Sequence, residues 1–137
     1  MPLYLCNFAQ GAIADAAKPR IAADITRIHC AVTDAPPQFV HAFFLEDAAH
    51  QPLNGKSAKL LGSIRAGRSE AQRQQIIDEM SASIQAHAGL EQNAIEVVLT
   101  DVPASWVMEG GEIYPEPGEE AEWLAQHEAR HADAPAL

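Results

Sequence analysis

The stretch Ser57–Met80, SAKLLGSIRAGRSEAQRQQIIDEM, decides the fold. Its opening SAKLLGSI is an apolar run of strand length, and the RAGR that follows carries the glycine of a turn. Ser69 and Gln72 then form a capping-box pattern. Ile76, Ile77, Met80 and Ile84 lie on one side of the predicted helix, and Gly89 is placed to end it. A second strand-like run, AIEVVLTD, comes next. Strand, capped helix and strand in that order make a β-α-β unit, which requires parallel strands and a right-handed crossover.

Upstream, the same order is written once before. PLYLCNF reads as a strand, Ile21, Ile25, Ile28 and Val32 form one helical stripe, and QFVHAFFLE reads as a strand again. Proline is tolerated only in a first helical turn, so Pro19 predicts a helix that starts near Asp15 or later. The halves superimpose without a gap at an offset of 55 residues, placing Ile21 on Ile76, Ile25 on Met80, Val40 on Ile95, Phe44 on Leu99, Leu5 on Leu60 and Pro2 on Ser57. The predicted architecture is α/β (α+β): two tandem β-α-β units forming a four-stranded mixed sheet with two helices on one face. Expected boundaries are 1–55 and 56–108 for the units and 109–137 for an acidic C-terminal segment. The other sheet face stays partly apolar and calls for an oligomer.

The 137 residues carry a net charge of −10, distributed unevenly. Residues 1–108 hold 8 basic and 11 acidic side chains, whereas 109–137 hold 8 acidic residues against Arg130 alone. Such a balance argues against nucleic acid as a partner, and leaves basic side chains of the body free for a small anion. No apolar run reaches membrane-spanning length and no leader is evident, so a cytoplasmic protein is expected. Cys6 and Cys30 lie in apolar stretches and read as buried free thiols.

Four places carry candidate chemistry. Pro2 suits the start of a strand because it lacks an amide hydrogen; with Met1 removed it would instead present a free secondary amine. Arg65 and Arg68 flank a glycine turn before the helix cap, which fits either a carboxylate clamp beside helix N-terminal amides or two solvated arginines. His29 lies on the first helix beside its apolar stripe, as an ordinary helical histidine or a functional one. Glu109, after PASWVM with an apolar Trp106 expected to pack, precedes Gly110 and Gly111; it is a hinged pocket carboxylate or a turn residue.

Taken together these residues resemble the tautomerase superfamily, and within it the cis-3-chloroacrylic acid dehalogenase group with two fused β-α-β units. The likeness covers nearly the whole chain. It rests on Pro2 with Tyr4, ITRIHCAVT around His29, IRAGRSE, DVPASWVMEGG and YPEPGEEAEW. The resemblance implies that Pro2 is the catalytic amine, that His29, Arg65 and Arg68 bind and polarise a small carboxylate substrate, and that Glu109 is the acidic partner. It further implies a homotrimer with no metal or organic cofactor. The activity expected is keto–enol tautomerisation of small 2-oxo or 2-hydroxy-enoic acids, with hydration or weak dehalogenation as the alternative. Two departures stand out. Val98 occupies the position of the dehalogenases' water-activating tyrosine, which Tyr114 would have to replace from another segment, and the loop AAHQPLNGKS is short.

Two other classes compete. HEARH, from His127 to His131, matches a zinc-protease pattern, but it ends six residues from the C-terminus in a charged tail with no room for a third ligand. A non-catalytic binding protein on the same fold would have no need of Pro2, both arginines and Glu109 together. His41, His50 and His87 read as ordinary strand, loop and helix-end residues. The acidic tail from near Glu116 is expected to be solvated, with a short helix around Trp123.

Overall fold

A computed structural model describes residues 2–49 and 51–131, with the side chains of residues 130 and 131 excepted. Strand β1 (Leu3–Phe8) leads into helix α1 (Ala17–Thr33), which crosses to β2 (His41–Glu46). The second half repeats the order with β3 (Ala58–Arg65), α2 (Glu70–Ala88) and β4 (Ile95–Val102). The sheet runs β2-β1-β3-β4, with each β-α-β pair parallel and the central β1–β3 pair antiparallel.

Local sequence explains most boundaries. The Ser69 hydroxyl accepts from the Gln72 backbone N–H at 3.1 Å, and the Gln72 side chain accepts from the Ser69 N–H at 2.9 Å, so the capping box closes α2 as expected. Gly89 ends it in the left-handed region at φ 69°. Pro19 falls in the first turn of α1. The runs QFVHAFFLE and AIEVVLTD differ slightly from expectation. Pro37–Phe39 and Gln92–Ala94 are 3-10 turns, and the strands begin only at His41 and Ile95.

Both helices pack on one face of the sheet. Tyr4, Cys6, Phe8, Leu60 and Ile64 point into them and meet Ile21, Ile25, Ile28, Ile76, Met80 and Ile84, all buried. Each such side chain contributes roughly 1.5–3 kcal/mol of burial free energy. That pattern corrects the ungapped superposition. Leu3 pairs with His41, but Ala58 pairs with Ile95, so β1 matches β3 at 56 residues while the helices and outer strands match at 55. Pro2 therefore corresponds to Ala58 rather than Ser57.

On the opposite face one row crosses all four strands: Phe43, Leu5, Leu61 and Val98 are register partners in turn. Phe43 is exposed. After β4, a 3-10 turn (Ala104–Trp106), the hairpin β5 (Met108–Glu109) and β6 (Glu112–Ile113), and helix α3 (Glu120–His131) fold back over the sheet end. Trp106 does not pack as expected: it is 75% exposed, because its turn directs Ala104 inward instead. No helix among the described residues is long and apolar enough to cross a membrane.

Candidate active site

The start of β1, the end of β3, the start of β2 and the end of β4 lie at one end of the sheet, as their pairing requires. The last turn of α1 and the cap of α2 meet there too, joined by the Gln72 amide donating to the Val32 carbonyl at 3.0 Å. All five candidate residues belong to this end or to the segment folded over it.

Pro2 is buried, and its carbonyl accepts the His41 backbone N–H at 3.0 Å. The ladder at the β1 start is thus held through the proline's oxygen, leaving its nitrogen outside the sheet pairing. Met1 and His50 lie outside the described residues. His41 also reaches Glu109, with Nε2 3.5 Å from Oε1. One histidine therefore touches both Pro2 and Glu109, a connection the sequence reading of His41 as an ordinary strand residue missed.

Glu109 sits in β5 and accepts the Tyr114 O–H. Tyr114 in turn packs against Phe39 at 4.7 Å between ring centroids and against Trp123 at 5.3 Å. These side chains, with Gln38 and His127, line a cavity of about 270 Å3. Neither Pro2 nor the arginines line it.

His29 is buried, and its Nδ1 lies 2.7 Å from the Tyr4 hydroxyl. Burial, reinforced by the Arg68 and Arg65 charges, pushes the imidazole down to about 3, so it is neutral at ordinary pH. Burial also raises the Tyr4 phenol well above its usual range. The ring fits only because residue 62 is glycine: a Cβ there would stand 2.6 Å from a Tyr4 ring carbon.

Arg65 is 2% exposed. Its Nη1 donates to the Pro115 carbonyl at 2.7 Å and its Nη2 to Glu120 Oε1 at 2.8 Å, while Phe39 and Tyr114 flank its Cζ, each at 5.9 Å. Burial pulls the Glu120 carboxyl upward, but the Arg65 hydrogen bond and charge outweigh it and hold the group below its ordinary value. The tail expected to be solvated is thus anchored at Glu120. Arg68 is half-buried; Nη1 donates to the Thr33 carbonyl at 3.3 Å, and Nε is buried with no hydrogen-bond partner among the described residues. Burial and the neighbouring Arg65 lower its pKa.

Around HEARH, His127 contacts the Glu112 carboxylate and stacks on Trp123, while the His131 side chain lies outside the description. No group of three or more potential metal ligands occurs among the described residues. Cys6 is buried and Cys30 half-buried, both as free thiols.

A doubled β-α-β sheet with a proline-led first strand and a buried histidine–arginine cluster at its end defines a class of α+β fold. The family described as "Putative oxalocrotonate tautomerase enzyme" matches residues 1–128, and the chain belongs to it. The solved structure of native Ps01740 is 36% identical, covers 78% of this chain and 99% of its own, and superimposes with a TM-score of 0.69. N1, a member of the cis-3-chloroacrylic acid dehalogenase family, shares the fold at 24% identity and a TM-score of 0.78, over 96% of this chain and 99% of its own. A native fused 4-OT does so at 22% identity and 0.69, over 81% and 94%. No curated protein matches the chain in sequence.

Proposed function

We propose that the protein is a cofactor-independent tautomerase that moves a proton within small 2-oxo or 2-hydroxy-enoic acids. Removal of Met1 frees the Pro2 nitrogen as a secondary amine. An α-amino group has a reference pKa near 8, and burial near cations would lower it toward the operating pH. The neutral amine takes the proton from the 2-hydroxyl of the enol, and the ammonium so formed delivers a proton to C3 as the ketone forms.

The substrate carboxylate lies against Arg68, with Arg65 as the second cation behind it. In the tautomer in which Tyr4 donates to His29 Nδ1, the hydrogen stands on Nε2 and would polarise the substrate's oxygen. Fixed donors of this kind stabilise the developing enolate without reorganisation. Glu109 is the acidic partner, held by Tyr114 and His41. The observation that carries this reading is the buried Arg68 Nε without a partner among the described residues, beside a histidine kept neutral. An unmet buried donor costs free energy unless a ligand supplies its acceptor.

A second reading has its own support. Tyr114 donates to Glu109, so a phenol and a carboxylate stand together although residue 98 is valine. That pair would direct water onto an activated acid, giving hydratase or weak dehalogenase activity with Pro2 as the acid.

Assembly belongs to the same reading. The row of Phe43, Leu5, Leu61 and Val98 gives the sheet a face to bury. Fused 4-OT proteins of the same fold are described as trimers, and we assign a cytoplasmic homotrimer here.

Ketonisation of phenylenolpyruvate by the wild type and by Pro2→Ala tests the proposal, alongside mass spectrometry of the mature chain. Equal rates, or a retained Met1, would remove the amine from the mechanism. Loss on Pro2→Ala with activity retained on Glu109→Gln favours tautomerisation over hydration.

A further inference from the structure

Two arginines stand at the site, yet their charges are not equally available. Arg65 is enclosed, with a side chain 1% exposed, and its Nη2 meets Glu120 Oε1 at 2.8 Å. The other carboxylate oxygen accepts the Gly118 backbone N–H at 2.8 Å, so Glu120 is fixed at both oxygens. The Pro115 carbonyl takes Nη1, and the rings of Phe39 and Tyr114 close around the guanidinium. All these partners but Phe39 come from the segment folded over the sheet end.

Arg68 differs. Its one hydrogen bond among the described residues, to the Thr33 carbonyl, is 3.3 Å long, and its Nε is buried with no partner among them. Glu109 stands on the far side of Tyr114, whose hydroxyl it holds while the ring lies 5.9 Å from Arg65 Cζ. The site thus contains two guanidinium groups, two carboxylates and a neutral imidazole.

Resting on the tautomerase reading above, we propose that the pocket selects substrates bearing a single carboxylate, and that Glu120 sets this selectivity by occupying the guanidinium a second carboxylate would need. A doubly charged acid can place one group on Arg68. Its other group then meets the Glu120 carboxylate that already holds Arg65, and like charges repel. Displacing Glu120 would not relieve this, because breaking one buried pair leaves a carboxylate without its partner. A methyl or aryl group in the same place carries no charge for Glu120 to repel, and the rings of Phe39 and Tyr114 flank Arg65 there. Glu120 does not touch the substrate; it acts through Arg65 as a positioning residue.

Calorimetric titration of the full chain with butanoate and with succinate tests this, since the two differ by a carboxylate in place of a methyl and neither reacts. The wild type should bind butanoate about tenfold or more tightly than succinate. Glu120→Gln, which frees the Arg65 charge, should shrink that ratio toward unity or reverse it, with far-UV circular dichroism confirming the fold. Should that variant not fold, the wild-type ratio still decides. Succinate binding as tightly as butanoate, or an unchanged ratio in folded Glu120→Gln, overturns the proposal. If Arg68→Ala abolishes butanoate binding in that case, the tautomerase reading survives alone. No binding of either acid to the wild type overturns both.

Discussion

Gly62 lies directly across from Tyr4 in the β1–β3 ladder, and a Cβ at residue 62 would come within 2.6 Å of the tyrosine ring. The same Cβ would meet a Leu99 methyl carbon at 2.8 Å from the other side. The missing side chain is what lets the phenol lie flat over β3 and reach His29. Gly62→Ala is therefore expected to cost about 1–3 kcal/mol through overpacking. Urea unfolding measures the loss, and ketonisation should slow in parallel as Tyr4 shifts. An unchanged midpoint would mean that the ring has room to move.

Acid sensitivity follows from His29. Its folded pKa of about 3 lies below the ordinary 6.5, so the unfolded chain binds more protons between those values. Stability contributed by the neutral imidazole is complete above about pH 6.5 and is lost as pH falls toward 3. At 1.36 kcal/mol per unit the loss is on the order of 4 kcal/mol. Glu120, held below 4.5 by Arg65, adds a loss of the same sign in more acidic solution. Denaturant midpoints measured from pH 7 to pH 4 should fall in the wild type and fall less steeply in His29→Gln.

Tyr114→Phe separates the two chemistries. The ring contacts with Phe39 and Trp123 survive the change, while the O–H donated to Glu109 is lost. Ketonisation of phenylenolpyruvate is expected to stay within a few-fold. Any hydration of a propynoic acid should fall by roughly 10²-fold, the usual contribution of a positioned proton donor. Parallel losses in both assays would place the hydroxyl in the shared step instead.

Ser69→Ala removes half of the capping box at the start of α2. The expected cost is about 1 kcal/mol, or roughly 3 °C in Tm. Because Arg68 precedes the cap, carboxylate affinity should weaken as well, which titration with butanoate reads directly.

What could be read from the sequence was what is local or periodic. Ser69 with Gln72 declares the start of α2 and Gly89 its end, each from residues at that boundary, and the stripe of Ile21, Ile25 and Ile28 declares the buried face of α1. Matching Leu5 to Leu60 failed for a different reason. Both are apolar, but Leu5 points away from the helices and Leu60 toward them. A one-residue slip in a strand exchanges faces without changing hydrophobicity. Gly62 carried no signal, since its need arises only from the residue across the ladder. Glu120 looked like one more charge in an acidic tail; its partner lies 55 residues earlier, a separation that no local pattern encodes. Pro2, His29, Arg65, Arg68 and Glu109 do converge on one end of the sheet, which topology alone required of the first four.

The doubled unit carries two sets of instructions that have drifted apart. Where the first half has His29 the second has Ile84, fully buried, and where the first begins with Pro2 the second passes through Ala58 in mid-chain. The arginines, conversely, occur only at the end of β3. Covalent fusion makes this divergence tolerable: a change in one copy need not be mirrored in the other, as it must be when identical short chains assemble. On the proposed reading, the first half would supply the proton carrier and the second would grip the anion, so neither half would be competent if cut free.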